Sequence, residues 1–455
     1  MNGNEGDPRT ESTAENPFAP SWGEAPQAGE PSEPSESHAA RLDHRAWAWV
    51  PSLYFAEGLP YMMVMTVSVI MYKSLGLEND VIVFSTSWLY LPWVIKPLWS
   101  PLVDVLGSQR TWVLVTQALM ALAFVAIAAQ LRSASFFTLT LASFALLAIC
   151  SATHDIAADG FYMAGLEKRT QAWFVGIRST FYRLSMIAAQ GGLVMLAGAL
   201  EGDLGPSQAW QWTMATLGVL FGGVCLYHCF VLPRPASRSE SARAGNDLFD
   251  EMVLAVTTFF EKPGIVAIVA YLLLYRFAES QLVKIAAPFL MDPPTAGGLG
   301  LSTARVGQLY GVVGVSLLLA GGVLGGVLGA KFGVRRCLLP MALAINLPNV
   351  VYVLLAVAKP TSVWPVAAAI AVEQFGYGLG FAGYLLIMLY VSRGEHQTAH
   401  YALCTGLMAL GMMLPGMFSG DLQLWLGYQW FFVWVLAATI PSFVVTELIR
   451  RQVDE

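Results

Sequence analysis

The sequence predicts an all-α membrane protein with twelve transmembrane helices in two pseudo-symmetric six-helix bundles. Three observations carry this. Of 455 residues, 56% are hydrophobic and 12% charged, about half the charged share of an average soluble chain. The apolar residues come in blocks of about 20 or more, the length a helix needs to cross a hydrocarbon core about 30 Å thick. The basic residues that flank these blocks are distributed unevenly between the two ends. Fourteen Trp and forty-two Gly fit the same class, because Trp collects at membrane interfaces and Gly is frequent in membrane helices.

The blocks place helices at about 46–71, 81–104, 111–131, 134–163, 171–200 and 208–232, and then at about 264–291, 303–330, 334–357, 362–392, 398–420 and 425–449. Five segments follow. Residues 1–44 are rich in Pro, Ser and Glu and poor in large apolar residues. Such a stretch buries too little to offset its ordering entropy, so it reads as a disordered tail. It has no basic-then-apolar start, so no signal peptide is expected there. Residues 45–232 form the first bundle, 233–263 a linker, 264–449 the second bundle, and 450–455 a short tail.

Orientation follows from Lys and Arg in the flanks. With the N-terminus inside, the inner flanks hold Arg41, Arg45, Arg110, Lys168, Arg169, Arg234, Arg238, Arg243, Lys262, Lys331, Arg335, Arg336, Arg393, Arg450 and Arg451. The outer flanks hold Lys73, Arg132, Arg305 and Lys359. Both termini, the tail and the linker are therefore expected in the cytoplasm.

The halves echo each other. The turn after the second helix reads Pro101-Leu-Val-Asp104-Val-Leu-Gly107-Ser-Gln-Arg110, and the turn after the eighth reads Gly326-Val-Leu-Gly-Ala-Lys331-Phe-Gly333-Val-Arg335-Arg336. Each combines a tight Gly turn with bases that can latch the inner face. The first copy keeps an acid, Asp104, where the second has Ala330, so the second latch is expected to be weaker. Lys96, Asp104, Arg110, Lys331 and Arg335 are the candidate cytoplasmic gate. Repeats of this kind inside a membrane protein point to alternating access. Six helices, a linker and six more, with these paired turns, resemble the major facilitator superfamily.

Ionisable residues within the hydrocarbon are costly and so are functional candidates. Here they are Glu57, Lys96, Asp155, Asp159, Arg178, Arg183, Arg276, Glu279, Lys284 and Glu373. Helices 1, 4, 7 and 10 each carry an acid. In the major facilitator arrangement those four helices line the central cavity. Depth along antiparallel helices 4 and 5 suggests two rungs, Asp155 with Arg183 and Asp159 with Arg178. On helix 7, Arg276 and Glu279 are i, i+3 neighbours that can pair; alternatively Arg276 faces an anionic substrate group. Gly58 and Pro60 beside Glu57 invite a kink. Glu57 and Asp155 are the candidate proton-coupling carboxylates.

Other motifs read more plainly. Gly321, Gly322, Gly325, Gly326 and Gly329 are a small-residue packing face, and no phosphate-binding loop is present. Five cysteines imply no disulfide framework. Cys225, His228 and Cys229 share a helical face but lack a fourth ligand, so no metal site is expected. His154 beside Asp155 has no accompanying nucleophile or metal spacing, so the chain is not expected to be an enzyme. A transporter-fold sensor would be expected to carry a folded cytoplasmic output domain, for which the tail and linker offer no candidate.

Specific segments narrow the resemblance. Phe55-Ala-Glu-Gly-Leu-Pro60, Ile95-Lys-Pro-Leu-Trp-Ser-Pro-Leu-Val-Asp104 and Cys150-Ser-Ala-Thr-His-Asp-Ile-Ala-Ala-Asp159 resemble the AmpG-type permeases, a branch that also includes acetyl-coenzyme A transporters. Tyr182-Arg183-Leu184, Leu274-Tyr-Arg276, Val372-Glu373-Gln374 and Ala399-His-Tyr-Ala402 extend the match over roughly residues 50–445. The resemblance implies proton-coupled import of an anhydro-muropeptide across a bacterial inner membrane. It places Asp155, Asp159, Arg183, Arg276, Glu279 and Glu373 on the substrate and proton pathway, to which Glu57 and Gln374, on the same helices, are added from the residues themselves. Glu57, His154, Glu279 and Gln374 depart from the family pattern, so an oligosaccharide, a siderophore-type solute or acetyl-coenzyme A remain alternative cargoes. The proton gradient is the expected energy source, with no cofactor. The expected partners are a small-molecule substrate and the bilayer, not nucleic acid, and the chain is expected to act as a monomer.

Overall fold

Among the described residues, twelve long helices follow one another, with short connections within each half, because each apolar block ends at a polar or glycine-containing turn. The computed structural model describes residues 36–234, 245–394 and 396–453. Most of the segment read as a disordered tail, residues 1–35, lies outside the described residues. Residues 36–44 have helical backbone, favoured by Ala39, Ala40, Arg41 and Leu42.

The first six helices are α1 (Arg45–Ser74), α2 (Asn79–Ser100), α3 (Gln109–Gln130), α4 (Phe136–Gly165), α5 (Trp173–Leu204) and α6 (Pro206–Val231). The second six are α7 (Ile265–Met291), α8 (Thr303–Phe332), α9 (Val334–Ala358), α10 (Val363–Val391), α11 (Gln397–Met417) and α12 (Ser419–Arg450). Among the described residues, eleven helices are long and apolar enough to cross a membrane. The exception is α11. Its 21 residues reach about 31 Å at 1.5 Å per residue, but Gln397, Thr398, His400 and Thr405 dilute its apolar content. The even count puts Arg45 and Arg450 on one face, the termini face. The turns at 75–78 and 292–302 lie on the opposite, distal face.

The linker contains a helix, Gly245–Phe260. Phe259 is fully buried, and His400 Nε2 on α11 lies 3.1 Å from the Ala255 carbonyl. Residues 235–244 of the linker lie outside the described residues.

Several helices are irregular where the sequence disfavours a plain α-helix. After Pro60, α1 passes through a π-helical stretch at Met63–Val67. Proline removes one backbone donor and crowds the preceding turn, which accounts for the expected disturbance. Similar stretches occur at Ile187–Leu193 in α5 and Gly307–Gly314 in α8. α7 breaks between Leu274 and Phe277, with Arg276 at φ −104°, ψ 19°. α12 kinks at Gly427, whose φ of 70° is the left-handed region that glycine tolerates.

Within the second half, α8 and α10 approach at backbone distance. A methyl group on Gly378 would run into the Leu318 carbonyl, and one on Gly321 into the Phe375 carbonyl. The glycine run of α8 is therefore a packing face, with Gly321, Gly325 and Gly329 buried against α10.

Between the halves, α5 crosses α8 at Gly191 and Gly311, where a methyl group on Gly311 would overlap the Gly191 backbone. The hydrogen bonds and ion pairs joining the halves, among the described residues, lie toward the distal face. Lys73 Nζ pairs with Asp292 Oδ1 at 2.6 Å. Asn79 Nδ2 donates to Asp292, Gln423 and the Tyr428 hydroxyl at 3.2, 2.7 and 2.8 Å. Thr303 Oγ1 donates to Glu201 Oε1 at 2.9 Å, and Lys284 Nζ to Thr86 Oγ1 at 3.1 Å.

Candidate functional site

Two charge clusters lie inside the helix bundle, one in each half, the first half-buried and the second buried. The first is assembled by α1, α2, α4 and α5. Asp155 and Asp159 are one turn apart on α4, so both face the same neighbours. Asp159 Oδ1 meets Arg178 Nη1 of α5 at 3.1 Å, the rung expected from matched depth. The Tyr54 hydroxyl of α1 closes a triangle, donating to Asp159 Oδ1 at 2.9 Å and accepting from Arg178 Nη1 at 2.9 Å. The Arg178 guanidinium lies 4.7 Å from the Tyr54 ring centroid and 5.1 Å from that of Tyr162. Stacking of this kind suits arginine's planar, weakly hydrated charge.

The other expected rung does not form. Asp155 pairs with Lys96 of α2 rather than with Arg183. Arg183 turns along its own helix, with Nε donating to Ser179 Oγ at 3.3 Å. Depth matching fixed how far each charge lies along its helix but not the direction in which it points, and Lys96 on the neighbouring helix reaches Asp155. Lys96, expected from sequence at the cytoplasmic gate, is thus paired within this cluster. Glu57 sits alongside, buried, with Asp155 next to it and Oε2 without a hydrogen-bond partner.

A neutral polar chain braces the same half. Ser52 Oγ lies 2.9 Å from His228 Nε2, His228 Nδ1 lies 2.9 Å from Gln117 Oε1, and Gln117 Nε2 lies 3.0 Å from His154 Nε2. The amide orientation assigns His228 Nδ1 as donor and His154 Nε2 as acceptor. Cys225 Sγ donates to the Leu114 carbonyl at 3.5 Å and Cys229 is exposed.

The second cluster is built on α7 and α10. Arg276, at the break in α7, grips Glu279 with two parallel bonds, Nε to Oε2 at 2.6 Å and Nη2 to Oε1 at 2.8 Å. Its Nη2 also donates to the Tyr377 hydroxyl of α10 at 2.7 Å. Phe381 stands beneath, 4.9 Å from the guanidinium to the ring centroid. Both charged groups are buried, and the fork geometry satisfies most of their hydrogen-bonding capacity. Of the two readings of Arg276, the structure supports pairing with Glu279. Glu373 is buried on α10 and accepts from the neighbouring Gln374 Nε2 at 2.9 Å. Near it, the hydroxyls of Tyr310 on α8 and Tyr352 on α9 are hydrogen-bonded to each other.

Of the expected gate residues, Arg110 caps α6, donating to the carbonyls of Cys229 and Leu232 at 2.7 and 3.3 Å. Lys331 lies over the neighbouring Phe332 ring. The Asp104 side chain lies outside the described residues, and no hydrogen bond is described for Arg335.

The sequence reading missed Tyr54, Tyr377 and the Lys73–Asp292 pair. One signal was present: Tyr54 precedes Glu57 by three residues, and so shares its helical face.

The profile of the Major Facilitator Superfamily matches residues 52–414. The anhydromuropeptide permease of Escherichia coli (strain K12) is 25% identical over 416 residues, covering 88% of this chain and 79% of the relative. Putative transporter AmpG 4 of Rickettsia conorii is 22% identical, over 88% of this chain and 96% of the relative. Among solved structures, an inward-facing, unoccupied bacterial homologue of the human lysosomal transporter Spinster superposes with a TM-score of 0.63 at 16% identity, covering 92% of this chain and 98% of that one. A D-xylose–proton symporter gives 0.65 at 13% identity, over 91% and 98%. These structural matches establish the shared fold. The chain belongs to the major facilitator superfamily of membrane transporters and resembles its AmpG-type members.

Proposed function

We propose that this protein is a proton-driven importer of a polar peptidoglycan fragment, of the anhydro-muropeptide or amino-sugar class, in a bacterial inner membrane. Its termini face the cytoplasm, as the basic flanks require. The observation that carries the reading is the pair of charge clusters, whose acids lie on α1, α4, α7 and α10, combined with inter-half bonds placed toward the distal face. Charge of this kind is expensive in hydrocarbon unless a polar pathway uses it. Closure at the distal face leaves the termini side as the route of release, one half of an alternating-access cycle.

The N-terminal cluster supplies the coupling site. Among the described residues, the bases paired with the Glu57, Asp155 and Asp159 group are Lys96 and Arg178. One bound proton balances the third carboxylate, and Glu57 is the acid without a base of its own. The similarity to the anhydromuropeptide permease of E. coli supports the cargo class.

Uptake of labelled N-acetylglucosaminyl-anhydro-N-acetylmuramyl peptide into vesicles carrying the protein tests this reading. Accumulation should require an inward proton gradient and collapse with an uncoupler. Vesicles that accumulate none of it, while taking up acetyl-coenzyme A, a siderophore or a simple oligosaccharide, would replace the cargo.

A further inference from the structure

Lys284 is the buried charge that neither cluster uses. It lies on α7 and is 2% exposed. Eight residues separate it from Asp292, about 12 Å along the helix. Its ammonium donates to Thr86 Oγ1 at 3.1 Å and stands 4.8 Å from the Tyr90 ring centroid. Both partners belong to α2, across the seam between the halves. Among the described residues it has no carboxylate partner, whereas the charge of Arg276 on the same helix is met by Glu279.

The ammonium has three donors, and one hydroxyl and one ring face satisfy it only in part. A methionine would fill a similar volume without the desolvation cost of a bare charge. The surroundings are soft and apolar: Met65, Tyr90, Met412, Met413 and Met417 pack together, with Val283 beside them. This surface lies between α7 and α2 of the opposite half, and it opens if the halves part where Asp292 meets Lys73 of α1.

We propose that Lys284 is an anion subsite on the distal entry route, taking the carboxylate of an acidic sugar or sugar-peptide when the distal face opens. In the closed state Thr86 and Tyr90 cover it. Once uncovered, the ammonium is open to an anion, and the Tyr90 ring 4.8 Å away offers a face for a sugar. A carboxylate bound there turns a bare cation into an ion pair before the seam closes again. Loading thereby lowers the electrostatic cost of closure.

The inference rests on the transport reading above. Its test uses the purified full chain with N-acetylmuramic acid, which carries one free carboxylate, and N-acetylglucosamine, which carries none. Melting temperature in detergent is followed against concentration for the wild type, Lys284→Met, Lys284→Gln and Lys284→Arg. The acid should stabilise the wild type and Lys284→Arg and the neutral sugar should not. The Met and Gln variants should bind the acid at least tenfold more weakly. Lys284→Gln keeps a hydrogen bond to Thr86, so it serves if the Met variant fails to fold. Equal binding of the acid by the neutral variants, or no effect of the acid on the wild type, overturns the subsite. Muropeptide uptake that persists in the wild type then confines the failure to Lys284. Absence of muropeptide uptake by the wild type as well removes the muropeptide-import reading itself.

Discussion

The Asp292 carboxylate, at the distal end of α7, lies 2.6 Å from the Lys73 ammonium at the distal end of α1. Asn79, Gln423 and Tyr428 surround the pair with hydrogen bonds. Five side chains from α1, α2, α7 and α12 thus form one polar knot, and opening the distal face means untying it.

Lys73→Met or Asp292→Asn should therefore favour the distal-open form. Loss of one partner from a mostly buried pair is expected to shift the equilibrium by about 1–3 kcal/mol, roughly five- to 150-fold. Spin labels on the distal ends of α1 and α7 would report a longer distance in the variants. An unchanged distance distribution would show that the pair does not hold the seam.

Lys96 and Asp155 are about a quarter exposed as side chains, so solvent screens them in part. Lys96→Met leaves a carboxylate without its base and should cost about 1–3 kcal/mol, less than the full penalty of a fully buried pair. The double variant Lys96→Met/Asp155→Asn should recover most of that loss. Denaturation midpoints of the single and double variants would decide it; additive losses would mean that the two side chains are not coupled.

Glu57→Gln removes the acid that has no base of its own. Proton-driven accumulation of the muropeptide should fall at least tenfold, while exchange of labelled for unlabelled cargo persists. Full accumulation by the Gln variant would move the coupling site elsewhere, with Glu373 the next carboxyl to replace.

Gly311→Val places a branched side chain where the α5 backbone passes. Distal closure should fail and transport should stop, although membrane insertion is retained. Cysteines placed near Gly198 and Ala304 would crosslink readily in the parent and poorly in this variant.

Much of this arrangement was legible from the residues themselves. Twelve apolar blocks gave twelve helices, and the acids on helices 1, 4, 7 and 10 marked the interior surface. Asp159 and Arg178 could be paired because they sit at equal depth on antiparallel neighbours. The partner of Asp155 could not, because depth leaves the direction around the helix open, and both α2 and α5 lie beside α4. Lys73 had been read only as one of the few bases on the outer flanks; its partner is 219 positions away in sequence. The break at Arg276 was hidden because Leu274, Tyr275 and Phe277 continue an apolar block without a proline or glycine to interrupt it.

The π-helical stretches of α1, α5 and α8 share a further property. Each packs one more residue into a turn than an α-helix does, with its backbone bonds made to the fifth residue instead of the fourth. A surplus residue of this kind can migrate along a helix by exchanging one bond at a time. As it passes, it rotates the side chains beyond it without unwinding the helix. These three helices take part in the seam at the distal side, so the chain holds a reserve of backbone slack in segments that must turn as the two halves part.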